Sequence, residues 1–209
     1  MIGIDYFGDY SNSFSNIAIS NKAECINYYG SYGSGSEISI SYAYANSYVG
    51  GAIGKTTGGK LQQIYSSSLL TSDTNAKANY SSKYSYNGCD NEAHTQSYVG
   101  MLVGYAGVED KNVTIIDSFG ATNYLSANAI AEAYSDNYYS IINNYGGLCG
   151  NDENILVDNC YRYSGADSNI ELGTPTSLAN LKSVNFITNT LGWDTEIWLL
   201  ENGKYPTLK

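Results

Sequence analysis

Apolar and polar positions alternate with a period of two in several stretches of this chain. Val113 and Ile115 flank Thr114, and Ile38 and Ile40 flank Ser39. Successive residues of a strand point to opposite faces, so such runs predict half-buried β-strands. The runs are short, as in Glu37-Ile-Ser-Ile-Ser-Tyr-Ala-Tyr and Asn112-Val-Thr-Ile-Ile, with clusters of Gly, Asn, Ser and Asp between them. That punctuation is strand and turn. Helical spacing surfaces only over Thr176–Leu191, where Leu178, Leu181 and Phe186 share a face and Ser177 stands at a capping position.

The same pattern then recurs at long range. Tyr48-Val-Gly-Gly-Ala-Ile-Gly54, Tyr98-Val-Gly-Met-Leu-Val-Gly104 and Asn144-Tyr-Gly-Gly-Leu-Cys-Gly150 align, and Ile2-Gly3 begins a fourth copy in mid-motif. The marker glycines Gly3, Gly54, Gly104 and Gly150 are separated by 51, 50 and 46 residues. Each copy leads through a polar loop to an apolar run with a Ser/Asn/aromatic exit. One such unit cannot bury its apolar side alone, but a stack can. Two coils of about 23–25 residues per repeat would fit the period. Equivalent residues would then form inward columns: Ile53 with Val103 and Cys149, and Ile64 with Ile116 and Val157. The repeat glycines would stand where φ is positive or where a side chain would collide with the next coil. The opening in mid-motif reads as a piece trimmed from something longer, with a first coil left open for self-association.

The cores Gly51-Ala-Ile-Gly54, Met101-Leu-Val-Gly104 and Gly147-Leu-Cys-Gly150 resemble the GLUG-repeat proteins, named for Gly-Leu-(any)-Gly; Met101 departs from the motif's first glycine. The ending Leu191-Gly-Trp-Asp-Thr-Glu-Ile-Trp198, followed by Asn202-Gly-Lys-Tyr-Pro-Thr-Leu208, is similar to the unit that closes such arrays. The resemblance implies a right-handed parallel β-helix (β-solenoid) in large secreted or wall-attached bacterial proteins, among them adhesin-like proteins and the N-terminal regions of some IgA-cleaving metallopeptidases. It brings no catalytic residues. The chain divides accordingly into an all-β solenoid over 1–175 and a small cap with a short helix over 176–209. In the cap, Trp193 and Trp198 would lie over the last coil as plug residues, since a solenoid end must be covered.

Composition narrows the partners. Asp+Glu number 20 against Lys+Arg 10, a net charge of −10, and Arg162 is the single arginine. Such a surface repels phosphate backbones and anionic lipid, which argues against nucleic acid. No apolar run approaches a membrane span, and no secretory leader is visible. Cys25, Cys89, Cys149 and Cys160 show no C-x-x-C pair and read as free buried thiols, with Cys149–Cys160 the one pair to test for a bridge.

The residues for catalysis are sparse. Glycoside hydrolysis wants two facing carboxylates; Glu109/Asp110 and Asp152/Glu153 are adjacent pairs, and Asp5 and Asp9 occupy the equivalent first loop. Neighbours on a loop usually point apart. The acidic loops lack the D-x-D-x-D-G spacing of a calcium site. One histidine, His94, in a polar stretch, excludes His-Glu-x-x-His and reads as an exposed loop residue. Arg162 has no acidic cluster beside it in sequence. The 22 tyrosines recur as i, i+2 pairs at Tyr42/Tyr44, Tyr84/Tyr86 and Tyr161/Tyr163, on one strand face each. They read chiefly as strand-packing residues, with an exposed Tyr/Ser/Asn surface as the alternative contact for a ligand. The sequence therefore predicts a structural or adhesive module of an extracellular or cell-surface protein, without cofactor or metal, meeting a host or environmental glycan or protein. A β-helical polysaccharide-processing enzyme and a self-assembling filament subunit are the alternatives.

Overall fold

The computed structural model describes residues 2–5, 8–31, 39–82, 89–107, 111–133 and 138–209. It is a mostly-β architecture of parallel sheets. The first tier holds β1 (Ile2–Asp5), β2 (Gly8–Ser15), β3 (Ala18–Ser31) and β4 (Ser39–Gly50). The second holds β5 (Ile53–Thr56), β6 (Gly59–Ser66), β7 (Leu69–Ser82) and β8 (Cys89–Gly100). The third holds β9 (Val103–Ala106), β10 (Val113–Ile116), β11 (Phe119–Gly120), β12 (Leu125–Ala133) and β13 (Tyr138–Gly146). A shorter fourth tier follows with β14 (Ile155–Asp158) and β15 (Tyr161–Tyr163). Each strand pairs in parallel with its counterpart one tier on: β1 with β5 and β5 with β9, β3 with β7 and β7 with β12, β4 with β8 and β8 with β13. β2 pairs with β6, which pairs with both β10 and β11.

The registers set Ile2 beside Ile53, Ile53 beside Val103 and Val103 beside Cys149. The expected column of Ile53, Val103 and Cys149 is therefore present and buried, and the marker glycines fall in line with it. One repeat makes one tier, not two coils. The reason is the arm formed by β3 and β4, of 14 and 12 residues, and by their counterparts in the next tiers. The chain runs out along one sheet and back along another, which uses half of each repeat. The two sheets of the arm face each other through Ala43, Ala45, Ala76, Ala78 and Ala93, whose small side chains let the sheets approach closely.

A chain of buried hydroxyls crosses between those sheets. Asn21 Nδ2 donates to Ser47 Oγ (2.8 Å), Ser72 Oγ to Ser47 Oγ (2.6 Å) and Ser97 Oγ to Ser72 Oγ (2.7 Å). The chain passes from β3 to β4, β7 and β8 in turn, so every link joins opposite sheets. Buried hydroxyls need such partners.

The second expected column is corrected. Ile115 stands beside Leu61 and Val157, while Ile116 is set beside Gln62 and Asp158. Ile64 is instead set opposite Ser118, whose Oγ accepts from the Ile64 amide at 3.1 Å. The cause is a corner. Asn12, Gln63, Asp117 and Asn159 occupy equivalent positions and all have φ between 48° and 52°. A left-handed residue there breaks the period of two, so alternation counted through it assigns the wrong face. Beyond the corner, Phe14, Tyr65, Phe119 and Tyr161 share a column, with Phe14 stacked on Tyr65 (5.3 Å) and Tyr65 on Phe119 (4.9 Å).

The repeat glycines at Gly50, Gly100 and Gly146 are required by crowding rather than by φ. A Cβ on Gly100 would collide with the Val103 carbonyl and lie 2.6 Å from the Gly150 nitrogen in the next tier.

The C-terminal segment departs from expectation. β16 (Thr174–Thr176) adds to β15 in parallel, so the sheet runs through the boundary drawn at 175/176. Ser177 caps α1 (Leu178–Leu181), its Oγ accepting from the Asn180 amide at 3.2 Å. A π-helical turn over Phe186–Thr190 follows, and β17 (Trp198–Leu199) and β18 (Thr207–Leu208) pair antiparallel. Trp193 and Trp198 are buried, but against Tyr65 and Phe119 of the middle tiers rather than over the last one. The aromatic column makes that flank apolar, and the segment covers it. Trp193 Nε1 donates to the Asp117 carbonyl (2.6 Å), the Tyr65 hydroxyl to the Pro206 carbonyl (2.6 Å) and Asn159 Nδ2 to the Thr190 carbonyl (2.8 Å).

Candidate functional site

Those carboxylates singled out from sequence that the structure describes lie on separate elements. Asp5 lies in β1. Asp9 lies in β2 and accepts from the Lys60 amide at 2.9 Å, a tier-to-tier link. Asp152 and Glu153 are exposed on the turn before β14; Glu109 and Asp110 lie outside the described residues. Among the described residues no three His, Cys, Asp or Glu side chains come together as a metal site requires. No helix among them is long and apolar enough to cross a membrane.

His94 is not an exposed loop residue. It lies within β8, half-buried, with its ring stacked on Tyr44 at 4.8 Å and Nε2 3.4 Å from Glu92 Oε2. The polar run around it misled because this strand turns Ala93, Thr95 and Ser97 inward, small and partly polar residues that do not read as a buried face. Arg162 is buried in β15 at the position equivalent to Gly120, with Nη2 3.6 Å from Glu171 Oε1. Gly147 makes the room: a Cβ there would meet Arg162 Cδ at 2.6 Å. This arginine is packed into the stack.

Cys25, Cys149 and Cys160 are free. Cys149 Sγ contacts Asn151 Oδ1 (3.1 Å), and Cys160 Sγ contacts the Asp158 and Ile115 carbonyls (3.1 and 3.2 Å). The two thiols thus engage separate acceptors. Burial pushes both thiols up to about 12. Asn151, which sequence reasoning passed over, is the busiest polar side chain nearby. It accepts from the Ala106 amide (2.7 Å) and donates to the Ala106 and Glu153 carbonyls (2.9 Å each). The Cys-Gly-Asn order carried no signal for that role.

The tyrosines divide into two groups. Tyr48 and Tyr98 stack at 5.7 Å, and Tyr105 meets both edge-on at 5.5 and 4.9 Å. Lys55 Nζ sits 4.6 Å from the Tyr48 centroid and 5.2 Å from that of Tyr105, a cation–π arrangement that occupies the cluster from within. Burial holds the Tyr98 hydroxyl at about 12. Tyr161 packs edge-on against Phe186. Tyr42 and Tyr44 are exposed, stacked on each other at 6.2 Å. Tyr84 and Tyr86 lie outside the described residues.

Among the described residues, one accessible surface is the outer edge of the first tier. β1, β2, β3 and β4 each end their sheet. Phe14 is 42% exposed there, while its counterparts Tyr65 and Phe119 are at 2% and 0%. Ile17, Ile26, Tyr42 and Tyr44 are also exposed. A notch beside Phe14 is lined by Tyr10, Gly51, Ala52, Ile53 and Ile64. Its polar side chains are hydroxyls only, so it suits apolar contact and strand pairing rather than acid–base chemistry. No family model matches the chain, and neither a curated protein nor a solved structure matches it.

Proposed function

We propose that this chain is a non-enzymatic structural or adhesive module of a secreted or cell-surface bacterial protein, built as a right-handed parallel β-helix of the GLUG-repeat kind. The observation that supports it is the register: four repeats place their glycines, inward apolar residues and left-handed corner at equivalent positions. A polysaccharide-processing enzyme would need facing carboxylates, whereas Asp9 serves as a tier-to-tier acceptor and Asp152 and Glu153 stand exposed on a turn.

The test is a paired assay on the purified chain. Immobilised glycans and extracellular proteins are screened for retention, while soluble polysaccharides are screened for cleavage. Saturable retention without product formation is expected. Turnover of any polysaccharide that disappears on Asp9→Asn or Glu153→Gln would overturn the reading.

A further inference from the structure

We propose that Asn202 is a site of spontaneous deamidation that the folded C-terminal segment holds shut, so that its conversion marks chains in which that segment has lifted away. The chain has two Asn-Gly steps, Asn87-Gly88 and Asn202-Gly203, and the first lies outside the described residues. Asn202 and Gly203 are exposed on a turn in which the Lys204 amide donates to the Glu201 carbonyl (3.1 Å) and Gly203 has φ 84°. Glycine suits that conformation. It also lacks the Cβ that would shield its nitrogen from the preceding side chain.

Deamidation begins when the Gly203 nitrogen attacks the Asn202 carboxamide carbon. The new C–N bond closes a five-membered imide. The bond from that carbon to the side-chain nitrogen breaks, and ammonia leaves with the proton that Gly203 gives up. Water then adds to one of the two imide carbonyls. Opening at one leaves aspartate; opening at the other leaves isoaspartate, whose main chain is longer by one carbon.

Both reacting groups are tied down in the fold, and to neighbouring residues. The Gly203 amide donates to the Lys182 carbonyl (2.8 Å), and Asn202 Oδ1 accepts from the Val184 amide (2.9 Å). For attack, the nitrogen must swing off Lys182 and the carboxamide off Val184. The flanking chain resists that movement. Lys182 Nζ lies 4.4 Å from the Tyr205 ring centroid, and the Pro206 carbonyl accepts from the Tyr65 hydroxyl (2.6 Å). Leu181, just before this anchor, is fully buried in the cluster that holds Trp193 and Trp198. The rate at position 202 is then that of a free turn multiplied by the fraction of time the turn is lifted. Aspartate keeps an oxygen for the Val184 amide. Isoaspartate displaces Gly203 along the chain, so the two bonds cannot both be remade.

The experiment follows position 202 by peptide mass spectrometry, with isoaspartate read by enzymatic methylation. Three samples are held at neutral pH: the native chain, the chain in concentrated urea, and a peptide of residues 200–206. The last two should convert at similar rates and the native chain about 10-fold or more slowly. Leu181→Ala, with an unchanged circular dichroism spectrum, should convert about 10-fold or more faster than the native parent, because it loosens the packing behind the anchor. The native-to-peptide comparison needs no variant. Chains carrying isoaspartate at 202 should melt below both the parent and Asn202→Asp. Equal rates in native chain and peptide, no conversion in the peptide, a folded Leu181→Ala chain no faster than its parent, or Asn202→Asp melting as low as the isoaspartyl chain would each overturn the proposal.

Discussion

Gln63 offers the sharpest test of the corner. Its φ is 52°, in a row otherwise filled by Asn12, Asp117 and Asn159. A left-handed conformation costs an L-residue about 1–2 kcal/mol, and Asn and Asp bear it better than Gln. Glycine is free of that strain but loses about 0.5–1 kcal/mol in chain entropy on folding. Gln63→Gly should therefore stabilise the protein by about 0.5–1 kcal/mol. Gln62, one residue earlier in regular strand beside Ser11 and Ile116, gains nothing from glycine, so Gln62→Gly should destabilise by about 0.5–1 kcal/mol. At about 2–4 °C per kcal/mol for a chain of this size, the two midpoints should move by about 1–4 °C in opposite directions. Thermal denaturation followed by tryptophan fluorescence reads this directly. Trp193 and Trp198 are the only tryptophans, both buried, and Trp193 is bonded to the Asp117 carbonyl of the same corner one tier on. Equal downward shifts for the two glycine variants would refute the corner.

Phe119 is fully buried between Tyr65 and Trp193, so Phe119→Ala should cost about 3–5 kcal/mol in urea unfolding; a loss under about 1 kcal/mol would show the column to be loose. Ser72 links Ser47 to Ser97 inside the arm, and Ser72→Ala should cost about 1–3 kcal/mol by removing two buried hydrogen bonds, measurable in the same titration. Cys149 and Cys160 keep their protons when folded, with values raised to about 12, whereas an unfolded thiol ionises near about 8.5. The unfolded state then holds fewer protons, so stability should fall as pH rises from about 8.5 toward 12, by up to about 1.4 kcal/mol per pH unit for each thiol. Replacing both by alanine should flatten that part of the profile. In the native protein a thiol reagent at neutral pH should label neither, and mild oxidation should not join them.

The parts of the fold legible in sequence are those where one residue type has one physical reason. Ile53, Val103 and Cys149 were recognisable as a column because glycines bracket each at a fixed offset. The capping role of Ser177 followed from its place before Leu178. The arm was much less legible, since Ala and Ser between two close sheets mimic the composition of a loop, and alanine is a poor strand former by itself. That is why one wide tier looked like two narrow coils, and why His94 looked like a loop residue. The Ile64 column failed at Gln63, whose side chain gives no hint of a left-handed backbone. The tryptophans were recognisable as covering residues, but the surface they cover depends on the aromatic column, which only the register reveals.

One repeat per tier has a consequence for span. Parallel strands lie about 4.8 Å apart, so each set of roughly fifty residues advances the molecule by only that distance. A reach of about 100 Å would consume on the order of a thousand residues, where a single helix would need about seventy. An architecture this slow along its axis is a poor spacer. What each repeat adds is breadth: another pair of long parallel strands on the arm, and with them a wide lateral wall that grows one strand at a time.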